Sequence, residues 1–246
     1  MAHIRTTHVG SLPRPAEMLA KTLRRQTIGA VELKGYLSEI VARQMSLGLT
    51  YINNGELPRL DYVQATVGRI AGFDGSGQAP VPQDLEELPE LSRRFSGRNG
   101  LITLNPKSPV SLPACSQPLA YTGEGSLREE LEMMVGVHRE LAPAFPLPPE
   151  RLFFTSPSPG TVALFMENRY HPDYASYLEN IAAVLRQEYT IIAGYGLDLQ
   201  IDCPDLAMGR HTRFRHLSDD AFLEIMEANI QALNRALAGV DPDRCR

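Results

Sequence analysis

The sequence predicts an α/β protein built on parallel strands. Short apolar, β-branched runs alternate with longer segments whose apolar residues recur near every 3.6 positions. Strand-then-helix alternation of this kind gives a parallel sheet. Each strand candidate also ends in a Gly/Pro turn or a polar loop, where ligands gather in both open doubly wound sheets and βα barrels. Five such units can be read along the chain. They suit an open sheet, and equally the first part of a (β/α)8 barrel of the TIM type; periodicity leaves the two open.

The first strand spans 4–9 and stops at Gly10-Ser11-Leu12-Pro13-Arg14-Pro15. A helix over 30–47 carries Val31, Leu37, Ile40, Val41 and Met45 near one stripe, with Gly48 placed for a left-handed terminal residue. The second strand, 49–53, ends in Asn54-Gly55-Glu56. The stretch 72–117 reads as an excursion from a single domain covering 1–246, with 101–104 as one strand of a local hairpin and 106–118 as connector. The third strand, 119–122, leads to Ser126-Leu127-Arg128-Glu129, which has the form of a capping box opening a helix. The fourth strand, 151–155, ends in Ser156-Pro157-Ser158-Pro159-Gly160 and precedes a helix over 172–193, closed by Gly194 and Gly196. The fifth strand, 197–201, ends in Asp202-Cys203-Pro204-Asp205. The last helix, 219–237, takes Ser218 as N-cap and Phe222, Ile225, Met226, Ile230, Leu233 and Leu237 as its apolar face.

Composition narrows the function classes. At 246 residues the chain fits one large domain, and a barrel of about 250 residues leaves little for extra loops. A net charge of −5 argues against a nucleic-acid partner, which calls for a basic face. The three cysteines, Cys115, Cys203 and Cys245, are widely spaced and lack a CxxC pair, as expected of a reduced compartment. The start of the chain lacks the apolar core of a signal peptide, and no apolar run approaches the ~20 residues of a membrane span, so a cytoplasmic protein without a membrane partner is expected. Cys203, Asp202 and His211 lie near one another without zinc-motif spacing, so no metal ligand is assigned. There is no nucleotide-binding glycine loop and no GxSxG elbow.

The strand ends collect the candidate site residues. They are His8, Ser11 and Arg14; Glu56, with Arg59 and Asp61 behind it; Tyr121; Ser156, Ser158, Glu167 and Asn168; and Asp202, Asp205, Arg210 and His211. If the strands are neighbours, Glu56 and Asp202 share one mouth. Two carboxylates suit an ammonium group through charge-assisted hydrogen bonds. Ser11 and its neighbouring backbone would then take a carboxylate, which points to an amino acid. Plainer readings stand beside these. Gly10-Ser11 can be a turn, Glu56 a loop acid, Asp202 a turn cap, His8 a satisfied core histidine, and 210–216 a solvated loop.

In order along the chain, Thr6-Thr7-His8-Val9-Gly10-Ser11-Leu12-Pro13-Arg14-Pro15, Asn54-Gly55-Glu56, Pro118-Leu119-Ala120-Tyr121-Thr122-Gly123, Ser158-Pro159-Gly160-Thr161-Val162 and Leu199-Gln200-Ile201-Asp202-Cys203-Pro204 resemble the catalytic domain of cobalamin-independent methionine synthases and its short stand-alone relatives. The resemblance implies a TIM-type barrel, here apparently truncated after about five βα units. It implies methyl transfer from a reduced folate to the thiol of homocysteine, with zinc holding the thiolate. Ser11 and the backbone near Val9 would hold the homocysteine carboxylate, and Glu56 and Asp202 its amino group. His8, Arg14, Tyr121, Ser158 and His211 are secondary candidates.

Two departures accompany the resemblance. The full synthases carry a Trp after the fourth-strand loop to stack on the pterin; this chain has none, and Phe165, Met166 and Glu167 lie there. The family's His-x-Cys zinc motif would begin past Arg246. The expectation is therefore a methyltransferase-like chain that lacks its zinc ligands and is complemented by a C-terminal chain or by self-association along an open edge. The alternatives are a metal-free amino-acid-binding module or relic, an alkyltransferase like the epoxyalkane–coenzyme M transferases, and an unrelated open-sheet protein. The two-carboxylate clamp favours an amino-acid thiol over a sulfonate thiol.

Overall fold

The structure, a computed structural model, describes residues 4–24, 26–59, 62–96, 111–145 and 151–246. In chain order the elements are α1 (Ala16–Leu23), α2 (Ala30–Ser46), β1 (Tyr51–Ile52), α3 (Tyr62–Val67), β2 (Ile70–Ala71), β3 (Gly75–Gln78), α4 (Gln83–Glu87), α5 (Pro89–Ser96), β4 (Ser111–Cys115) and β5 (Ala120–Tyr121). They continue with α6 (Glu124–Leu141), β6 (Arg151–Pro157), α7 (Pro159–Phe165), β7 (Glu167–Asn168), α8 (Tyr174–Gly194), β8 (Asp198–Asp202), α9 (Asp205–Met208) and α10 (Asp219–Ala236).

A parallel sheet in the order β1-β6-β8 organises the molecule. Its longest ladder runs from Phe153 opposite Asp198 to Pro157 opposite Asp202. The strand β6 is buried from Phe153 onward, which explains its nearly continuous apolar run. Alternation along the strand sends Phe153 and Thr155 to one face and Phe154 and Ser156 to the other. The second face is covered by α8, whose Leu178, Ile181, Leu185 and Ile192 are buried at helical spacing. Asp173 caps that helix by accepting from the Ser176 amide at 2.7 Å. The left-handed Gly196, at φ 71°, lets the chain turn from the helix into β8. Each fully buried aliphatic side chain here contributes about 1.5–3 kcal/mol. Buried faces of α2 (Leu37, Val41, Met45) and α6 (Leu127, Leu131, Met134, Val137) complete the core.

Two smaller sheets flank this one. β2 pairs antiparallel with β5, and β3-β4-β7 forms a three-stranded sheet. The fold is mixed α/β, and no closed barrel forms among the described residues. Along the outer edge of β8 the chain returns: Leu199 bridges Cys245 in parallel, and the Ile201 amide donates to the Arg246 carbonyl at 2.8 Å. No described helix is long and apolar enough to cross a membrane.

Several sequence expectations are corrected. Residues 4–9 are extended without being a strand. The Thr6 carbonyl accepts from the amides of Thr50 and Tyr51, while Ile4 and Val9 are exposed, so no ladder continues. The third expected strand survives as β5, but it pairs antiparallel with β2 and does not enter the parallel sheet. The 111–115 part of the expected connector is strand β4, which closes the excursion by pairing with β3; residues 101–104 lie outside the described residues, as does Asp61. The helix after Tyr121 starts at Glu124, so Ser126 is not a cap; its hydroxyl donates back to the Gly123 carbonyl. Val31 faces solvent, and the buried face of α10 runs through Phe222, Met226, Asn229, Ala232 and Ala236.

Candidate functional site

Glu56 sits in the turn after β1, and its backbone is unusual. Gly55 and Glu56 are both left-handed, at φ 64° and 54°. For glycine this is free; for Glu56 it costs about 1–2 kcal/mol. Local bonds hold the conformation in place. The Asn53 side chain accepts from the Gly55 amide (2.8 Å) and the Asn54 side chain from the Glu56 amide (3.0 Å). The Glu56 carbonyl accepts from Arg14 Nη2 (3.0 Å), and Arg14 Nε donates to the Leu57 carbonyl (3.3 Å).

The consequence is a carboxylate turned inward. Glu56 is 6% exposed. Its Oε1 accepts from the Thr155 hydroxyl at 2.7 Å, and Thr155 in turn accepts from Arg59 Nη1 at 3.0 Å. The same Arg59 nitrogen donates to the Thr155 carbonyl at 2.9 Å. Gly10 presses against this group: a Cβ built there would lie 2.5 Å from Glu56 Oε1. Any side chain at position 10 would displace the carboxylate.

Asp202 ends β8, on the same strand face as Gln200. Gln200 Nε2 donates both to Asp202 (3.3 Å) and to the Val9 carbonyl, tying the Gly10 turn to the sheet. The Asp202 carboxyl is pushed up to about 6. Burial is the main cause; the Gln200 hydrogen bond opposes it, the charge of Glu56 adds to it, and Arg59 counteracts. Among the described residues neither Glu56 nor Asp202 has an ion-pair partner. Two carboxyl groups that sense each other therefore lie near one another, neither in direct ion contact with a cation, with Arg59 acting on Asp202 through its charge and on Glu56 through Thr155.

The other expected residues are distributed differently. Ser11 and Val9 are exposed beside Gly10. His8 is half-buried; its Nε2 donates to Gln44 at 2.7 Å, and its ring packs 5.6 Å from that of Phe153. The Tyr121 hydroxyl reaches Glu188 at 3.3 Å, on the α8 side of the sheet. Ser158 is buried as the N-cap of α7; its hydroxyl donates to Asp205 at 2.6 Å in a cluster with Thr161 and Asn229. His211 is exposed on a short turn after α9. Of the expected set, Val9, Ser11, Arg14, Glu56 and Asp202 are drawn together by the Gly10 turn, Gln200 and the Glu56 loop; His8 adjoins them, whereas Tyr121 and Ser158 are committed elsewhere.

Sequence reasoning left Thr155 and Gln200 unassigned. Gln200 lies two residues before Asp202 on one strand, so period two would have found it; Thr155 shares the inner face with Phe153 by the same rule. The described residues contain no group of three or more His, Cys, Asp or Glu able to hold a metal. Burial pushes the Cys203 thiol up to about 11 and raises those of Cys115 and Cys245. These residues do not fit a zinc site.

No protein-family model matches the sequence, and no curated protein matches it. Solved structures do. A B12-independent methionine synthase from Shewanella sp. W3-18-1, in complex with selenomethionine, matches 98% of this chain and 60% of its own, with a TM-score of 0.61 at 15% identity. A candidate vitamin-B12-independent methionine synthase from Listeria monocytogenes matches 98% of this chain and 64% of its own, with a TM-score of 0.62 at 16% identity. The chain thus spans 60–64% of the length of these structures, and what it shares with them is the fold.

Proposed function

We propose that this chain carries the amino-acid-binding half of a methyltransferase related to the B12-independent methionine synthases. On this reading β1, β6 and β8 form one arc of a (β/α)8-type barrel in a single domain, and the site lies at the carboxyl ends of those strands. The observation that carries it is that Glu56 and Asp202 sense each other's charge while neither makes a direct ion pair among the described residues. An ammonium group supplies the missing charge and accepts no proton from either acid. Ser11 and the backbone around Val9 take the carboxylate of the same ligand, and the thiol of a homocysteine-like substrate extends beyond. The selenomethionine bound to the Shewanella enzyme supports an amino-acid ligand in this fold.

The residues perform binding and orientation. Thr155 fixes Glu56 Oε1, leaving Oε2 for the ligand. Gln200 fixes Asp202 and the Gly10 turn together, so the two ends of an amino acid meet groups held by one side chain. In the related enzymes zinc supplies a thiolate and a reduced folate the methyl group; neither has a matching ligand set or Trp among the described residues, so any such group needs other residues.

The test is calorimetric titration with L-homocysteine. Losing a hydrogen bond to a charged group costs roughly 10- to 100-fold in affinity. Glu56→Gln and Asp202→Asn are each expected to weaken binding by that order. Unchanged binding in both variants overturns the assignment.

A further inference from the structure

Glu56 is gripped from two directions, and both grips end on one residue of α6. The Glu130 Oε1 accepts from Asn54 Nδ2 at 2.8 Å, and Asn54 Oδ1 in turn accepts from the Glu56 amide. The same Oε1 accepts from Arg59 Nε at 3.2 Å, and Arg59 donates to Thr155, whose hydroxyl donates to the Glu56 carboxylate. One oxygen thereby holds the backbone of Glu56 through Asn54 and its carboxylate through Arg59 and Thr155. We propose that Glu130 is the positioning residue that sets Glu56 for ammonium binding.

Further facts support this. The Glu130 side chain is 12% exposed and that of Arg59 2%, so the pair is sheltered from solvent screening. Among the described residues Glu130 is the ion-pair partner of Arg59. One Arg59 nitrogen, Nη2, is buried without a hydrogen-bond partner among them, so the side-chain hydrogen bonds that locate the guanidinium, which lies 4.1 Å over the Phe154 ring, go to Glu130 and Thr155. The second oxygen of Glu130 lies 3.7 Å from Arg69 Nη1, which anchors the acid to the buried pair of Arg69 and Glu188. The left-handed backbone of Glu56 is costly to hold, and Asn54 holds it only while Glu130 orients its amide.

The proposal rests on the ammonium clamp, so the experiment separates the two. Affinity is measured for L-homocysteine and for its deamino analogue, 4-mercaptobutanoate, and the ratio is the readout. A clamp working through Glu56 prefers the amine-bearing ligand in the wild type and loses that preference in Glu56→Gln. Glu130→Leu removes both grips and should reduce the preference about tenfold or more, with little change for the deamino ligand. Glu130→Gln keeps an oxygen for Asn54 and Arg59 and should retain most of the preference. Glu130→Asp keeps the charge but shortens the reach, and should behave like the Leu variant; it serves if the Leu variant fails to fold. A structural role alone would weaken both ligands alike. Wild type without a preference overturns the clamp and this inference with it. A folded Leu or Asp variant that keeps the wild-type ratio, while Glu56→Gln loses it, overturns the role of Glu130 alone.

Discussion

Two acids, the buried Glu188 on α8 and the half-buried Asp202 on β8, lie on opposite sides of the same sheet and are treated in opposite ways. Glu188 is wholly buried, and burial alone would raise its carboxyl. Arg69 outweighs this with two hydrogen bonds at 3.0 Å each, and Ser156 adds another at 2.9 Å, so the group is held below its ordinary value. Asp202 is less buried, yet its carboxyl is raised: burial lifts it, the charge of Glu56 adds to the rise, and the Gln200 hydrogen bond and the more distant Arg59 offset only part of it. One acid is completed by the protein. On the proposed reading the other is completed by the ammonium group of a ligand.

The comparison breaks most visibly at Arg69. Removing one partner of a buried pair leaves an uncompensated charge, at about 3–5 kcal/mol. Arg69→Met is expected to lose that much stability in urea unfolding, and the double change Arg69→Met with Glu188→Leu to recover most of it. If the single variant is as stable as wild type, Glu188 is not completed in the way described.

Ser158 gives a smaller effect of the same kind. Its hydroxyl caps α7 and satisfies Asp205, so Ser158→Ala should cost about 1–3 kcal/mol without altering homocysteine affinity in the folded protein. A loss of affinity at full folding would return Ser158 to the site.

Asp202 sharpens the contrast through pH. Its folded-state carboxyl titrates near 6, above the ordinary value of 3.8. The folded protein therefore binds the proton more tightly than the unfolded chain, and stability declines as pH rises through this window. Asp202→Asn should remove that decline and leave a modestly more stable protein at neutral pH. In ligand titrations the sign reverses: affinity for an ammonium should rise as Asp202 ionises through about pH 6 and flatten in the Asn variant. A wild-type affinity that is level across that range removes Asp202 from the clamp.

How much of this the sequence disclosed depended on distance along the chain. The strand cores at 151–155 and 198–201 and the helices α2, α8 and α10 were legible, because buried strands and amphipathic helices write their periods locally. The short helices α1, α3 and α7 were not, since one or two turns leave too few apolar positions to establish a period. The extended 4–9 segment has strand composition, but composition does not provide an edge to pair with. Gly10, Glu56 and Asp202 could be proposed because Gly turns and acids at strand ends are visible in a linear reading. Glu130 could not: it meets Asn54 across 76 residues and Arg59 across 71, and in sequence it is one acid among several on a solvated-looking helix.

The left-handed backbone of Glu56 sets heat resistance against recognition. A glycine at that position would adopt φ 54° without strain, and would dispense with a buried acid facing another acid. A search for sturdier variants of this protein, blind to binding, would be drawn toward replacing the residue on which the proposed clamp depends. A carboxylate kept in that conformation reports a use for it in the same way that a spring held compressed reports a latch.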